Sequence, residues 1–473
     1  EEIRKLIRVK PGEAFSRARL TESTKLIGDR LGNDGYAFAN VNAVPSLDPN
    51  KREVAFTFLI DPGRRVYVRR INVTGNTRTR DEVIRREARQ LEGAWYSAQK
   101  VTLSKQRVDR LGYFTEVNVE TPSVPGTTDQ VDVNLAVVEK PTGQILAGAG
   151  YGSDGVVLSA SIAQQNIFGS GRHLALSVNT SKINTVYSLA YLNPYFTVDG
   201  ISQGFDIYYR ELDPSANDLA RYQTTTVGGQ LRFGVPVSEL DTIHYGLGYE
   251  DTSITVFPDS PLRYQEYVAV FGPQNSNVFV TTGWTRDGRD SLIYPTKGTL
   301  HKAGGELGLP LGDLEYYKLH YQYQRYFPLT RFTSFMVNGE IGYGDGYNGL
   351  PLPFFKNFYA GGVNSVRGFK SYTIGPKDSN GDPTGGPRRL LGNAELLFPF
   401  PGLQNDRSVR LSAFVDSAVV GESIDFNQLR VSTGLALLWV SPIGPLKISF
   451  GWPVRSDPSD DLQKFQFTIG GIF

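Results

Sequence analysis

The sequence predicts an all-β transmembrane barrel of sixteen antiparallel strands, preceded by two small α+β domains. Three observations predict it. A helix-and-strand pattern occurs twice before Pro141, and short alternating strands run from there to the last residue. Although the chain carries 25 Tyr and 27 Phe, it has no stretch of about eighteen apolar residues to form a membrane helix. A membrane span would therefore be built of strands closed on themselves.

The repeat begins at Gly12-Glu13-Ala14-Phe15-Ser16, continues helically to Arg30-Leu31 and reaches Gly35-Tyr36-Ala37-Phe38. Its second copy begins at Gly93-Ala94-Trp95-Tyr96-Ser97 and reaches Arg110-Leu111-Gly112-Tyr113-Phe114. Two alternating strands follow each time, 39–44 and 53–60 in the first copy, 116–120 and 131–138 in the second. Val131, Val133, Leu135 and Val137 share one face, the period of a strand buried on one side. The second copy adds an opening strand, 66–74, and a first helix for which Thr79 is the expected N-cap, with Glu82 at capping-box spacing. It reads β-α-α-β-β over 64–141. The first copy, 1–63, starts in a helix over 1–8 and lacks the opening strand, so the chain is expected to begin inside a domain with further copies before it. A two-stranded remnant should be the less stable copy. The start, Glu1-Glu2-Ile3-Arg4, lacks the apolar core of a signal peptide.

Residues 142–473 hold sixteen candidate strands, about 21 residues per strand and connection, which suits membrane strands of roughly ten residues with turns and loops. Tyr245, Leu247 and Tyr249 alternate with His244, Gly246 and Gly248; Tyr317, Leu319, Tyr321 and Tyr323 with Lys318, His320, Gln322 and Gln324. Ile448, Phe450 and Trp452 alternate with Lys447, Ser449 and Gly451; Phe465, Phe467, Ile469 and Phe473 with Lys464, Gln466 and Thr468. Alternation alone fits a soluble sandwich with an aromatic core as well as a barrel with an aromatic lipid face; strand number and even spacing favour the barrel. One connection, between strands at 334–343 and 390–398, exceeds forty residues and is rich in Gly and aromatics, which marks it as functional.

Composition removes several function classes. A net charge of +1 gives no reason to expect a nucleic-acid partner. With no Cys there are neither disulfides nor thiolate metal sites, and the four widely spaced His write no zinc motif. Gly148-x-Gly150-x-Gly152 has no helix after it and fails as a nucleotide loop. Asp378-Ser379-Asn380-Gly381-Asp382 lacks the distal Glu of a calcium loop and reads as a turn. Asn72-Val73-Thr74 and Asn179-Thr180-Ser181 fit the glycosylation pattern by chance, inside strands. No nucleophile with a local signature is present, so no enzyme activity and no cofactor are expected.

Within the long connection lies Phe358-Tyr359-Ala360-Gly361-Gly362-Val363-Asn364-Ser365-Val366-Arg367-Gly368-Phe369. Its last four residues, Val366, Arg367, Gly368 and Phe369, resemble the signature of the BamA family, barrel-assembly proteins of bacterial outer membranes, and the repeats resemble that family's POTRA domains. Asn193-Pro194-Tyr195-Phe196-Thr197-Val198-Asp199-Gly200, Gly342-Tyr343-Gly344-Asp345-Gly346 and Ser441-Pro442-Ile443-Gly444-Pro445-Leu446 extend the resemblance over the chain. It implies a sixteen-stranded barrel over 142–473, whose loop at 344–389 folds into the lumen and sets Arg367 against Glu395 and Asp416 of the wall. From the residues alone Arg367 reads equally as a solvated loop arginine; a dehydrated guanidinium needs paired carboxylates. Gly368 would permit close backbone approach. The connection 399–406 is shorter than in close relatives, which implies a less complete extracellular cap.

The resemblance further implies assembly and insertion of outer-membrane β-barrel proteins, with the N-terminal domains in the periplasm. Clients would be unfolded outer-membrane proteins, and periplasmic chaperones and accessory lipoproteins would bind the POTRA-like domains. Barrel closure pairs the first strand, with Gly143, Gly148 and Gly150, against the last, with Phe465, Phe467, Gly470, Gly471 and Phe473. Those glycines either weaken a lateral gate at this seam, where a client strand is templated, or fit crowded wall positions. A secretion pore for one dedicated soluble partner, an autotransporter assembly factor and a passive porin are the alternative readings.

Overall fold

The computed structural model describes residues 2–152, 155–217, 221–291, 294–330, 332–402, 408–441 and 444–469. The chain forms two compact units, one of residues 1–143 with 165–172, the other of 144–164 with 173–473.

In the first unit, α1 (Arg17–Asn33) packs on a hairpin of β1 (Asn40–Asp48) and β2 (Glu53–Asp61). The second copy runs β3 (Tyr67–Thr74), α2 (Asp81–Arg85), α3 (Ala98–Arg110), β4 (Phe114–Glu120) and β5 (Gln130–Glu139), with β5 in the middle of its sheet, parallel to β3 and antiparallel to β4. The repeated motif has a mechanical meaning. Ser16 and Ser97 are the N-caps of α1 and α3, accepting from the backbone N–H of Arg19 and Lys100. Gly35 and Gly112, just beyond the two helices, have φ of +103° and +72°, which only glycine adopts freely.

The copies differ in their cores. Val66, Val68, Ile71, Val83, Ile84, Val108, Val131, Val133, Leu135 and Val137 are buried together in the second. In the first, Ile27 is buried but Leu47 and Leu59 are 76% and 56% exposed, so the hairpin has little apolar cover. Two elements differ from expectation. The opening helix over 1–8 is a single 3-10 turn, Ile3–Leu6, too short to close a full helical ladder. Thr79 does not cap α2: Arg80 stands at the N-cap with no side-chain bond. Thr79 is engaged elsewhere, its N–H donating to Glu139 and its hydroxyl accepting from Asn166 at 2.9 Å.

In the second unit sixteen strands close into a barrel, in chain order from Gly143–Gly152 to Phe465–Ile469. Tyr245, Leu247 and Tyr249 are 49%, 54% and 51% exposed on its outside, whereas Gly246, Gly248 and Glu250 between them are buried toward the lumen. That inversion decides between the two readings of the alternation, because a soluble sandwich buries its aromatic face. No helix among the described residues is long and apolar enough to cross a membrane. The long connection spans 347–387, from the strand Ser334–Gly346 to the strand Arg388–Pro399. The next connection, after Pro399, joins the opposite ends of the strands. Its shortness therefore says nothing about the cap over the long loop, contrary to the expectation from 399–406.

Candidate functional site

Register builds the loop's docking site. Asn393 lies opposite Asp416, and Glu395 opposite Phe414, on the strands Arg388–Pro399 and Val409–Gly421. This sets two carboxylates diagonally across the lumen face. Arg367 enters between them and is 4% exposed. Its Nε and Nη2 donate to the two oxygens of Asp416 at 2.7 and 2.8 Å, its backbone N–H donates to the same carboxylate at 3.1 Å, and Nη2 also pairs with Glu395. The guanidinium lies 3.5 Å from the centroid of the Phe414 ring. Asn393 donates to Asp416 and to the carbonyl of Ser365. Nε and Nη2 grip the carboxylate bidentately, which a lysine cannot reproduce.

Val366 and Phe369 are buried in an apolar cluster with Ala360, Ile374, Leu391, Ala418 and Val420, further along the same two wall strands. Burial of two such side chains contributes about 1.5–3 kcal/mol each. Gly368 has φ of +94°, and a Cβ there would lie 3.1 Å from the backbone of Gly451 on the wall, so two chains touch with no side chain between them.

The same segment grips the end of the barrel. Gly368 and Phe369 pair as a two-residue strand with Gln463 and Leu462, which lead into the last barrel strand. Gln466 of that strand, 1% exposed, accepts from the Gly368 N–H at 3.3 Å and donates to the Phe369 carbonyl at 2.7 Å. Lys447 donates to the carbonyl of Val363 at 2.8 Å. Sequence reasoning placed Gln466 and Lys447 on the polar face without a partner. The only signal was a polar residue between Phe465 and Phe467 in an aromatic strand.

At the seam, Tyr151 lies opposite Ile469 and Gly152 opposite Thr468. These are the pairs among the described residues, which end at Ile469 on the last strand. Phe465 and Phe467 stack at 5.8 Å, and Phe467 meets Tyr151 at 5.6 Å. Gly143 and Gly148 are exposed and Gly150 is buried. A Cβ on Gly148 would meet the Ser159 hydroxyl at 2.8 Å, and one on Gly152 the Phe467 carbonyl at 2.8 Å, so crowding explains part of the glycine usage. Gly470, Gly471 and Phe473 lie outside the described residues. The turn at Asp378 is local, its carboxylate accepting from the N–H groups of Asn380 and Asp382.

Comparison with known proteins gives consistent matches. The Omp85 superfamily domain matches residues 166–473, and the POTRA repeat, described as a surface antigen variable number repeat, matches 1–63 and 66–140. The outer membrane protein assembly factor BamA of Neisseria meningitidis is 37% identical over all of this chain and 65% of its own length. That of Nitratidesulfovibrio vulgaris is 30% identical over 98% of this chain and 58% of its own length. The chain thus spans less than two thirds of these relatives. The crystal structure of BamA from Haemophilus ducreyi lacking POTRA domains 1–3 superposes with a TM-score of 0.76 at 33% identity, covering 99% of this chain and 96% of that one. CdiB from Acinetobacter baumannii, with a TM-score of 0.58 at 14% identity, shares the fold.

Proposed function

The chain belongs to the Omp85 superfamily and, within it, to the BamA family, and from that premise we propose that it assembles and inserts β-barrel proteins into the bacterial outer membrane by lateral opening of its seam. Its barrel lies in the outer membrane with the POTRA domains in the periplasm. The observation that supports it is a loop that holds the last strand from inside, next to the seam where Tyr151 meets Ile469 and Gly152 meets Thr468. A freed strand edge presents unpaired N–H and C=O groups, and in lipid those groups demand a partner. An incoming client strand supplies one by β-augmentation, so each step of insertion keeps backbone groups paired. Unfolded outer-membrane proteins are the clients in this reading. Periplasmic chaperones and accessory lipoproteins are the partners of the POTRA domains. Arg367, Glu395 and Asp416 brace the loop, and through Gln466 the last strand, while the first strand swings free. No enzymatic step enters this reading.

Cysteines test it. The chain has no native Cys, and Tyr151 lies directly opposite Ile469 across the seam, where Cβ atoms of facing residues sit about 4.5–5.5 Å apart. Tyr151→Cys/Ile469→Cys, placed in the full-length protein as sole copy, should stop assembly of a client barrel when oxidised and recover with reductant. Normal assembly through a fully cross-linked seam would rule lateral opening out and favour passage through the lumen.

A further inference from the structure

The long loop also meets the lumen wall at a second place. The wall there is built of the strands Ser202–Leu212, Tyr222–Pro236, Asp241–Val256, Gln274–Asp287, Gly298–Leu309 and Tyr316–Pro328. The loop's short 3-10 turn, Phe354–Lys356, sends its lysine into a cage of polar groups. Lys356 Nζ donates to Glu250, and to Glu306 at 3.3 Å. Tyr208 donates to Glu250 at 3.1 Å, Asn277 donates to Glu250 at 3.0 Å, and Tyr316 donates to Glu306. One ammonium thereby collects groups from five of the six strands.

The wall is cut to make room. Gly228, on the sixth strand, would put a Cβ 2.8 Å from the Tyr208 ring, so its lack of a side chain lets Tyr208 cross that strand to reach Glu250. A Cβ on Gly308 would meet Tyr316 at 2.9 Å, and one on Gly248 would meet Phe279 at 2.3 Å. Phe354, beside the lysine, is buried against Tyr222, Ile254 and Tyr264, with its ring 3.9 Å from that of Tyr264. Between this place and Arg367 the loop is tied to itself by the bridges Phe358–Gly386 and Ala360–Ile374.

We propose that Lys356 is a second positioning residue, a far-wall anchor that sets where the loop presents Arg367, Gly368 and Phe369 to the last barrel strand. Without the ammonium, two carboxylates face one another in a partly dehydrated space. They repel, and the turn lifts from the wall. Because the intervening loop is cross-tied, the displacement travels to the signature segment rather than dissipating in slack chain. The inference deepens the reading of the loop as a brace, but seating is measurable with no client present, so the two fail independently.

The test is amide hydrogen exchange on the full chain folded in lipid, comparing wild type with Lys356→Met and with Lys356→Met/Glu250→Gln/Glu306→Gln. In Lys356→Met, exchange at 354–360 and at 366–371 should rise together by about tenfold while the strand Arg388–Pro399 stays protected. The triple variant, with the repulsion removed, should recover much of the protection at 366–371. If 366–371 keeps wild-type protection while 354–360 opens, Lys356 is a local brace and the proposal fails. Should Lys356→Met not fold, Glu250→Gln/Glu306→Gln leaves the lysine in place but takes away the two carboxylates that hold it. Unchanged exchange at 366–371 in that variant overturns the proposal equally.

Discussion

Arg367→Met removes the cation from a site whose carboxylates stay behind. Asp416 is 0% exposed and the Glu395 side chain 15% exposed, so neither is neutralised by bulk water. Breaking a buried pair by deleting one partner costs about 3–5 kcal/mol. Asp416 retains the backbone N–H of residue 367 and the Asn393 amide, which places the expected loss near the lower bound, about 3 kcal/mol. The assay is urea-induced unfolding from short-chain lipid vesicles, followed by tryptophan fluorescence, because Trp439 and Trp452 lie on adjacent strands of this wall. The companion Arg367→Met/Asp416→Leu removes the stranded charge and should be less destabilised than Arg367→Met by at least about 1 kcal/mol. A single variant within about 0.5 kcal/mol of wild type, or a double variant equal to the sum of its singles, would refute the reasoning.

Gly368→Ala forces a Cβ into a left-handed backbone 3.1 Å from Gly451 and should cost about 1–3 kcal/mol in the same titration, with Gly368→Val worse. Gln466→Leu takes the side-chain partner from the Gly368 N–H, at about 1–3 kcal/mol, while the Phe369 carbonyl keeps the Gly362 N–H at 3.0 Å, and should raise exchange of the Gly368 amide selectively. Glu139 gives a pH signature outside the membrane. Burial pushes its carboxyl up, but hydrogen bonds from Thr79, Arg78 and Thr77 outweigh this and hold it below 4.5. The segment 77–79 should therefore be fully held above about pH 4.5 and released as pH falls through the lower folded value, read as acid-side proteolysis at that segment. Glu139→Gln should abolish that pH dependence.

The alternation of Tyr245, Leu247 and Tyr249 with their small neighbours was readable because one strand carries its own period. The repeat was readable because Ser16 and Ser97, with Gly35 and Gly112, do the same local work twice. Arg367 and its two carboxylates came from resemblance: Glu395 lies 28 residues further on and Asp416 49, and periodicity carries no register. The Lys356 cage was hidden for the same reason, since it depends on five strands aligning side chains that no local pattern relates. Thr79 misled because a capping-box spacing says nothing about Glu139 and Asn166, which engage it instead. The connection after Pro399 misled through parity: one antiparallel strand moves the chain to the other end of the barrel.

The contact between Gly368 and Gly451 has a consequence for genetics. Most steric defects in a packed interface can be relieved by shrinking the opposing residue. Here both residues already have the smallest side chain there is, and what meets is main chain on main chain. A defective allele at either position consequently has no size-complementing allele at the other. Second-site revertants should arise away from the contact, among residues that set how far the loop reaches into the lumen, and their map positions would trace the loop's hinges without any structure determination.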